Sequence, residues 1–232
     1  MTEPDSHEWC TVATGMTNDT PDSCIQVPIN TIPICANMTN AEFRKHIMEA
    51  RDSAIKLVKF RIVALSTLWG SEKARMQVYF GSTDDGLKQT LQNGLGALCS
   101  VLQNLEFGNF VRPGSDKDKA TGCLPNPNLQ NGTVAHVCAP DTATHTIAIH
   151  DAFCALPFVT RPGKDSWELT LVHECTHFTD TFSSIDYNNI YYGPHQTQLL
   201  AKIDPKMAVQ NADNIAWYVC DPSSDFRPGI TS

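Results

Sequence analysis

The chain has 232 residues, of which 41% are hydrophobic and 18% charged, with a formal net charge of −8. This composition fits a folded body and excludes a disordered one, and the acidic balance argues against nucleic-acid binding. No apolar stretch approaches the ~18 residues of a membrane span, so the length fits one large domain or two lobes about a cleft.

Residues 1–40 are rich in Thr, Pro, Asn and Asp and carry Cys10, Cys24 and Cys35. They are expected to form an irregular arm stapled to a single domain over 41–232. The opening MTEPDSHEWC is polar and does not read as a signal peptide. A removed leader or a signal-less export route is therefore expected. The nine cysteines show no CxxC spacing, which points to disulfides made in an oxidising compartment and not to a zinc knuckle. Their odd number leaves one over, with Cys175 the candidate free thiol. Sequons stand at Asn18, Asn37 and Asn131.

A first helix is expected over 41–68, where Phe43, Ile47, Ala54, Val58, Ile62, Leu65 and Leu68 form an apolar stripe that Gly70 would close. MQVYFGS (76–82) reads as a short strand or extended entry. Ser82 to Asp85 then cap a second helix, whose stripe is Leu87, Leu91, Leu95, Leu98, Leu102 and Leu105. Residues 112–133 are full of chain breakers, and DKDK (116–119) within them is expected to be mobile and protease-sensitive. TVAHV (133–137) and THTIAIH (144–150) alternate as two antiparallel strands. A helix over 166–180 opens with Asp165 and Glu168. Helices over 194–203 and 205–219 follow, each with proline in its first turn. The layout is α+β and mostly helical, with a small antiparallel-containing sheet and no βαβ alternation.

The helix at 166–180 carries LVHECTHFTD. His173 and His177, four apart, project from one face a turn apart. That suits two imidazoles on one zinc ion, with Glu174 as general base. A catalytic zinc takes three protein ligands and keeps one position open. Asp180 and Asp186 compete for the third place. Asp180 continues the same helix, whereas Asp186 lies nine residues beyond His177, far enough for the chain to reverse.

HECTH, an Asp nine residues on, Tyr192-Gly193 and NADN at 211–214, in that order, resemble the aspzincins, the deuterolysin and peptidyl-Lys metalloendopeptidase group. VYFG (78–81) and TIAIHDAFCALP (146–157) are similar to that group as well. The resemblance spans about residues 41–220. It implies a zincin-like fold and one catalytic Zn2+ held by His173, His177 and Asp186. It also implies Glu174 as base, Tyr192 as hydrogen-bond donor to the oxyanion, and Asp213 near the primed-side substrate pocket. Two departures stand out. The family reads Gly-Thr-x-Asp-x-x-Tyr-Gly; here Ser183 and Ser184 replace Gly-Thr, and the Asp-to-Tyr spacing is three longer. Counting back from Tyr192 puts the ligand slot on Asn189, counting forward from His177 puts it on Asp186, and a carboxylate binds zinc better than a carboxamide. Tyr191 and Tyr187 are alternatives to Tyr192. The glutamate of the lysine-specific members falls on Ala216.

The expected function is a zinc-dependent endopeptidase acting on polypeptides, with the helix at the cleft floor and substrate adding to 146–150 as an edge strand. It is secreted, or delivered as a toxin or effector with a protein inhibitor as partner. A rival is a non-proteolytic zinc-binding surface or scavenging protein on the same fold.

Overall fold

The computed structural model describes the backbone of residues 8–15 and 23–29, and residues 32–124, 132–187 and 190–222 in full. β1 (Glu8–Gly15) and β2 (Ser23–Ile29) pair antiparallel. The arm expected to be irregular thus contains a hairpin: short β-branched stretches outweigh the turn-rich composition around them. The sequons at Asn18 and Asn131, and the side chains of Cys10 and Cys24, lie outside the described residues.

α1 (Asn40–Thr67) starts at Thr39 with a complete capping box to Glu42. Its expected stripe is buried through Phe43, Ile47, Ala54, Val58 and Leu65, but Leu68 is exposed. Gly70 does not close it. The helix breaks at Leu68, and α2 (Trp69–Phe80) begins at once. The stretch expected as a strand is the last turn of α2, where Met76, Tyr79 and Phe80 are buried at helical spacing. Their β-favouring side chains misled; their period did not. Gly81 ends α2 at φ +65, where a Cβ would collide with the carbonyl of Ala201.

α3 (Asp85–Asn104) is capped by Asp84 and buries the six-leucine stripe. β3 (Phe110–Val111), α4 (Asp116–Ala120), β4 (Ala135–Val137) and β5 (Ile147–Ile149) follow. DKDK is therefore a short helix. Ser115 caps it, Asp118 is buried, and the Asp118 carboxylate accepts from Gly114 N at 2.7 Å and lies 3.1 Å from His136 Nε2. The Cys123–Cys138 disulfide ties its far end to the end of β4. A buried partner distant in sequence holds what local composition marks as loose.

The sheet order is β3-β5-β4, with β3 parallel and β4 antiparallel to β5. Strand β5 is hence central, and the expected edge at 146–150 is corrected to β4. Two-residue β3 was invisible because its partner is parallel and far along the chain.

α5 (Trp167–Thr176), α6 (Gly193–Ile203), α7 (Pro205–Gln210) and α8 (Ala212–Cys220) complete the body. The true cap of α5 is Ser166, whose hydroxyl accepts from Leu169 N. Glu168 turns instead to Ser53 Oγ and Thr160 N. Every residue of α5 is buried, because α1, α3, α8 and β4 enclose it. Its C-cap is His177, three residues short of the expected end. The segment from 178 onward reverses, led by Phe182 against Gly94 of α3.

Cys35–Cys154 is the second disulfide, and Cys175 is a buried free thiol. No described helix is long and apolar enough to cross a membrane.

A Cβ at Gly94 would stand 2.3 Å from the Phe182 ring. Gly94→Ala gains up to about 1 kcal/mol of helix propensity but forces the ring outward, an overpacking cost of about 1–3 kcal/mol. Net destabilisation is expected, read as a lower denaturant midpoint at unchanged slope.

Candidate metal centre

The buried end of α5 delivers His173, and its C-cap delivers His177. Their Nε2 atoms lie 3.3 Å apart. The reversed segment brings Asp186 to both, with Oδ1 3.3 Å from His173 Nε2 and Oδ2 3.6 Å from His177 Nε2. These three form the cluster of metal-ligating groups among the described residues. Tetrahedral ligands about 2.0–2.1 Å from a zinc ion stand about 3.3–3.4 Å from one another, so the spacing fits that ion. Asp186 Oδ1 is buried without a hydrogen-bond partner, an acceptor arranged for a cation.

The distal nitrogens are occupied. His177 Nδ1 donates to the Ser184 carbonyl at 2.9 Å. His173 Nδ1 meets Asp213 Oδ1 at 3.0 Å, and Asp213 Oδ2 accepts from Gly193 N. Each contact directs Nε2 toward the shared point. Asp213, expected near the primed-side substrate pocket, is 4% exposed on α8 and lies behind His173, against its Nδ1.

Charge follows from this crowding. Burial disfavours a cationic His173, yet Asp186 and Asp213 outweigh it and raise its pKa. Burial opposes ionisation of Asp186 too, but the two histidines and Tyr192 pull it down to about 2. His177, buried and beside His173, is shifted down. Burial lifts Glu174 to about 7, with Asp186 and Asp213 adding to the rise against His173. A carboxylate poised there can both take and return a proton.

Tyr192 hydrogen-bonds Asp186 and holds its ring 6.1 Å from that of His173, while remaining half exposed. Burial and the nearby carboxylates raise its pKa, so its hydroxyl stays a donor. The alternatives stand elsewhere: Tyr191 packs with Leu200 and Ala201, and the Tyr187 hydroxyl reaches Gln210. Asp180 pairs with His145 at 3.0 Å and is not in the cluster. Asn189 lies outside the described residues.

Sequence reading noted Ser184 only as a motif departure and missed its pairing with Thr176. The Thr176 hydroxyl bridges the His173 carbonyl and Ser184 Oγ, each at 2.7 Å, so the helix end and the returning segment share one bond. Small hydroxyl residues carry no visible metal signature, and only the fold pairs them.

A model of the aspzincins, described as lysine-specific metallo-endopeptidase, matches residues 66–220. A peptidyl-Lys metalloendopeptidase of Grifola frondosa is 40% identical over 73 residues. That stretch is 32% of this chain but only 19% of the relative. A solved zinc peptidase from Grifola frondosa superposes with a TM-score of 0.61 at 24% identity, over 80% of this chain and 99% of that one. This last likeness is one of fold, a mostly helical body with a small mixed sheet.

Two substitutions probe the centre. Asp213→Asn is expected to weaken zinc binding about 10–100-fold, measured by chelator competition. Ser183 sits at φ +52, where a side chain is strained. Ser183→Gly is expected to raise stability by up to about 1 kcal/mol, read as a higher Tm.

Proposed function

The chain belongs to the aspzincin family of metallo-endopeptidases, and on that premise we propose that it cleaves polypeptides with one zinc ion held by His173, His177 and Asp186. The observation that carries this reading is the convergence of three ligand side chains, through contacts of 3.3–3.6 Å, beside a buried Glu174. Bound there, zinc supplies a Lewis acid that acidifies water and polarises a carbonyl.

Glu174 is the general base. Its pKa of about 7 suits accepting the proton of the attacking water and returning it to the leaving amine. Tyr192 is the donor to the oxyanion: its hydroxyl reaches Asp186 and its ring remains open to solvent on one side. Asp213 keeps His173 in the required tautomer.

Substrate docks as an added strand on β4. His150 N donates to Val134 O at 3.0 Å, so ladder alternation turns the N–H and C=O of Ala135 and Val137 away from β5. Ala216 is fully buried and neutral on α8, so this reading includes no strict lysine requirement. The disulfides Cys35–Cys154 and Cys123–Cys138 among the described residues support an extracellular setting or delivery into an oxidising compartment.

The test is zinc content together with cleavage of a peptide library, on wild type, Glu174→Gln and Asp186→Ala. One zinc per chain is expected in wild type. Glu174→Gln should retain zinc and lose about 10²–10⁴-fold in kcat. Asp186→Ala should lose both. A wild-type chain that binds zinc and cuts nothing would replace this reading with the non-proteolytic zinc binder.

A further inference from the structure

Asp186 and Tyr192 meet at one centre but stand six positions apart in the chain. Asn211, at the break between α7 and α8, is 2% exposed. Its Oδ1 accepts from Tyr187 N at 3.3 Å, one residue past Asp186. Its Nδ2 donates to Tyr191 O at 3.3 Å, one residue before Tyr192. A single carboxamide thus grips the backbone at both ends of the segment.

The orientation of that carboxamide is fixed. Nδ2 also donates to Asn214 Oδ1 at 2.8 Å. Asn214 in turn spends its own Nδ2 on the carbonyls of Tyr79 and Thr197, so its oxygen must face Asn211. The NH2 of Asn211 is thereby directed inward, and its oxygen is left for Tyr187. Neighbouring ties reinforce each end. Ile185 N donates to Gln210 O at 2.9 Å, and Ala212 N to Ile185 O at 3.1 Å. At the other end, Gly193 N donates to Asp213. Both flanks of Asp186 and both flanks of Tyr192 are therefore anchored to residues 210–213.

We propose that Asn211 is the positioning residue that couples the metal ligand Asp186 to Tyr192 by clamping both ends of the segment between them. The proposal rests on the metallopeptidase reading for the roles of those two residues. Asparagine suits the task because one acceptor and two donors are needed at once. Aspartate keeps only the acceptor, and leucine keeps neither.

The test measures zinc affinity by chelator competition alongside kcat, KM and Tm. Asn211→Ala removes the side-chain grip at both ends and leaves the backbone ties alone, and zinc affinity is expected to fall about 10–100-fold with a lower kcat and KM within about threefold. Asn211→Asp keeps the Tyr187 contact and loses the Tyr191 one. Zinc affinity should hold within about threefold, while kcat falls at least about tenfold as the oxyanion donor drifts. A merely structural role would lower Tm in both and produce no such split. A Gly-Gly insertion between residues 188 and 189, inside the clamp, should leave zinc affinity and kcat within about threefold. Native-like zinc affinity and kcat in Asn211→Ala would overturn the proposal. So would loss of kcat on insertion alone, which decides the matter if the substitutions do not fold. Loosened zinc in Asn211→Ala, with no cleavage even by wild type, would sink the peptidase reading and support the Asp186 half of the clamp.

Discussion

The contact between His173 Nδ1 and Asp213, made across the α5–α8 packing, is the interaction on which the centre depends. An imidazole offers one nitrogen with a defined direction only when the other is engaged. A buried histidine facing a second histidine and a carboxylate has no solvent to correct a wrong tautomer. Asp213 removes that freedom for His173, and the Ser184 carbonyl does so for His177. Once both rings are set, the remaining variable is where the chain brings Asp186.

That placement is transmitted from far away. Helix α8 holds Asp213, and its C-terminal carbonyls are filled by Arg75 of α2, which donates to the carbonyls of Tyr218, Trp217 and Asp221. Glu72 of α2 is paired with Arg61 of α1 and accepts from the Tyr218 hydroxyl. Removing one partner of such a buried pair costs far more than the pair contributes, so α1, α2 and α8 hold one register. The apolar body, through the leucines of α3 and the tilted packing of Trp167 on Phe43 and Phe153, fixes the axis of α5. The polar braces fix α8 against α1 and α2, and the His173–Asp213 contact then ties α5 to α8.

This division explains what could be read from the chain. The leucine stripe, the Asp84 cap and the i, i+4 histidines are local, and each is fully encoded within one or two turns. The approach of Asp186 to both histidines was legible as well, because a carboxylate nine residues past His177 leaves room for the chain to reverse. Strand β3, the fold of DKDK and the tilt of Asp213 toward His173 were not. Each depends on a partner between 18 and 40 positions away or on a parallel neighbour, and no local period marks such pairs. MQVYF failed for a different reason. Its residue types favour strand, and only burial of Met76, Tyr79 and Phe80 on one side settles it as helix. NADN shows the mixed case: the motif was visible, but the separate tasks of Asn211, Asp213 and Asn214 required their partners.

Two histidine pairs in the chain show how little residue type decides alone. His136 and His150 place Nδ1 and Nε2 2.8 Å apart, yet their ring centroids are 5.1 Å apart. His173 and His177 have nitrogens farther apart, at 3.3 Å, but ring centroids slightly closer, at 5.0 Å. Nitrogens that close with rings that distant must meet head-on, which is the geometry of one N–H donating along its axis to the other nitrogen. Nitrogens more distant with rings no farther apart must be bent toward a common point off that axis, where an ion can sit. The His136 ring is also held by Asp118, so a carboxylate behind a histidine is common to both pairs. What separates the two pairs is the angle between lone pairs. That angle is set at His173 and His177 by one turn of helix, Asp213 and the Ser184 carbonyl, and by strand pairing at the other.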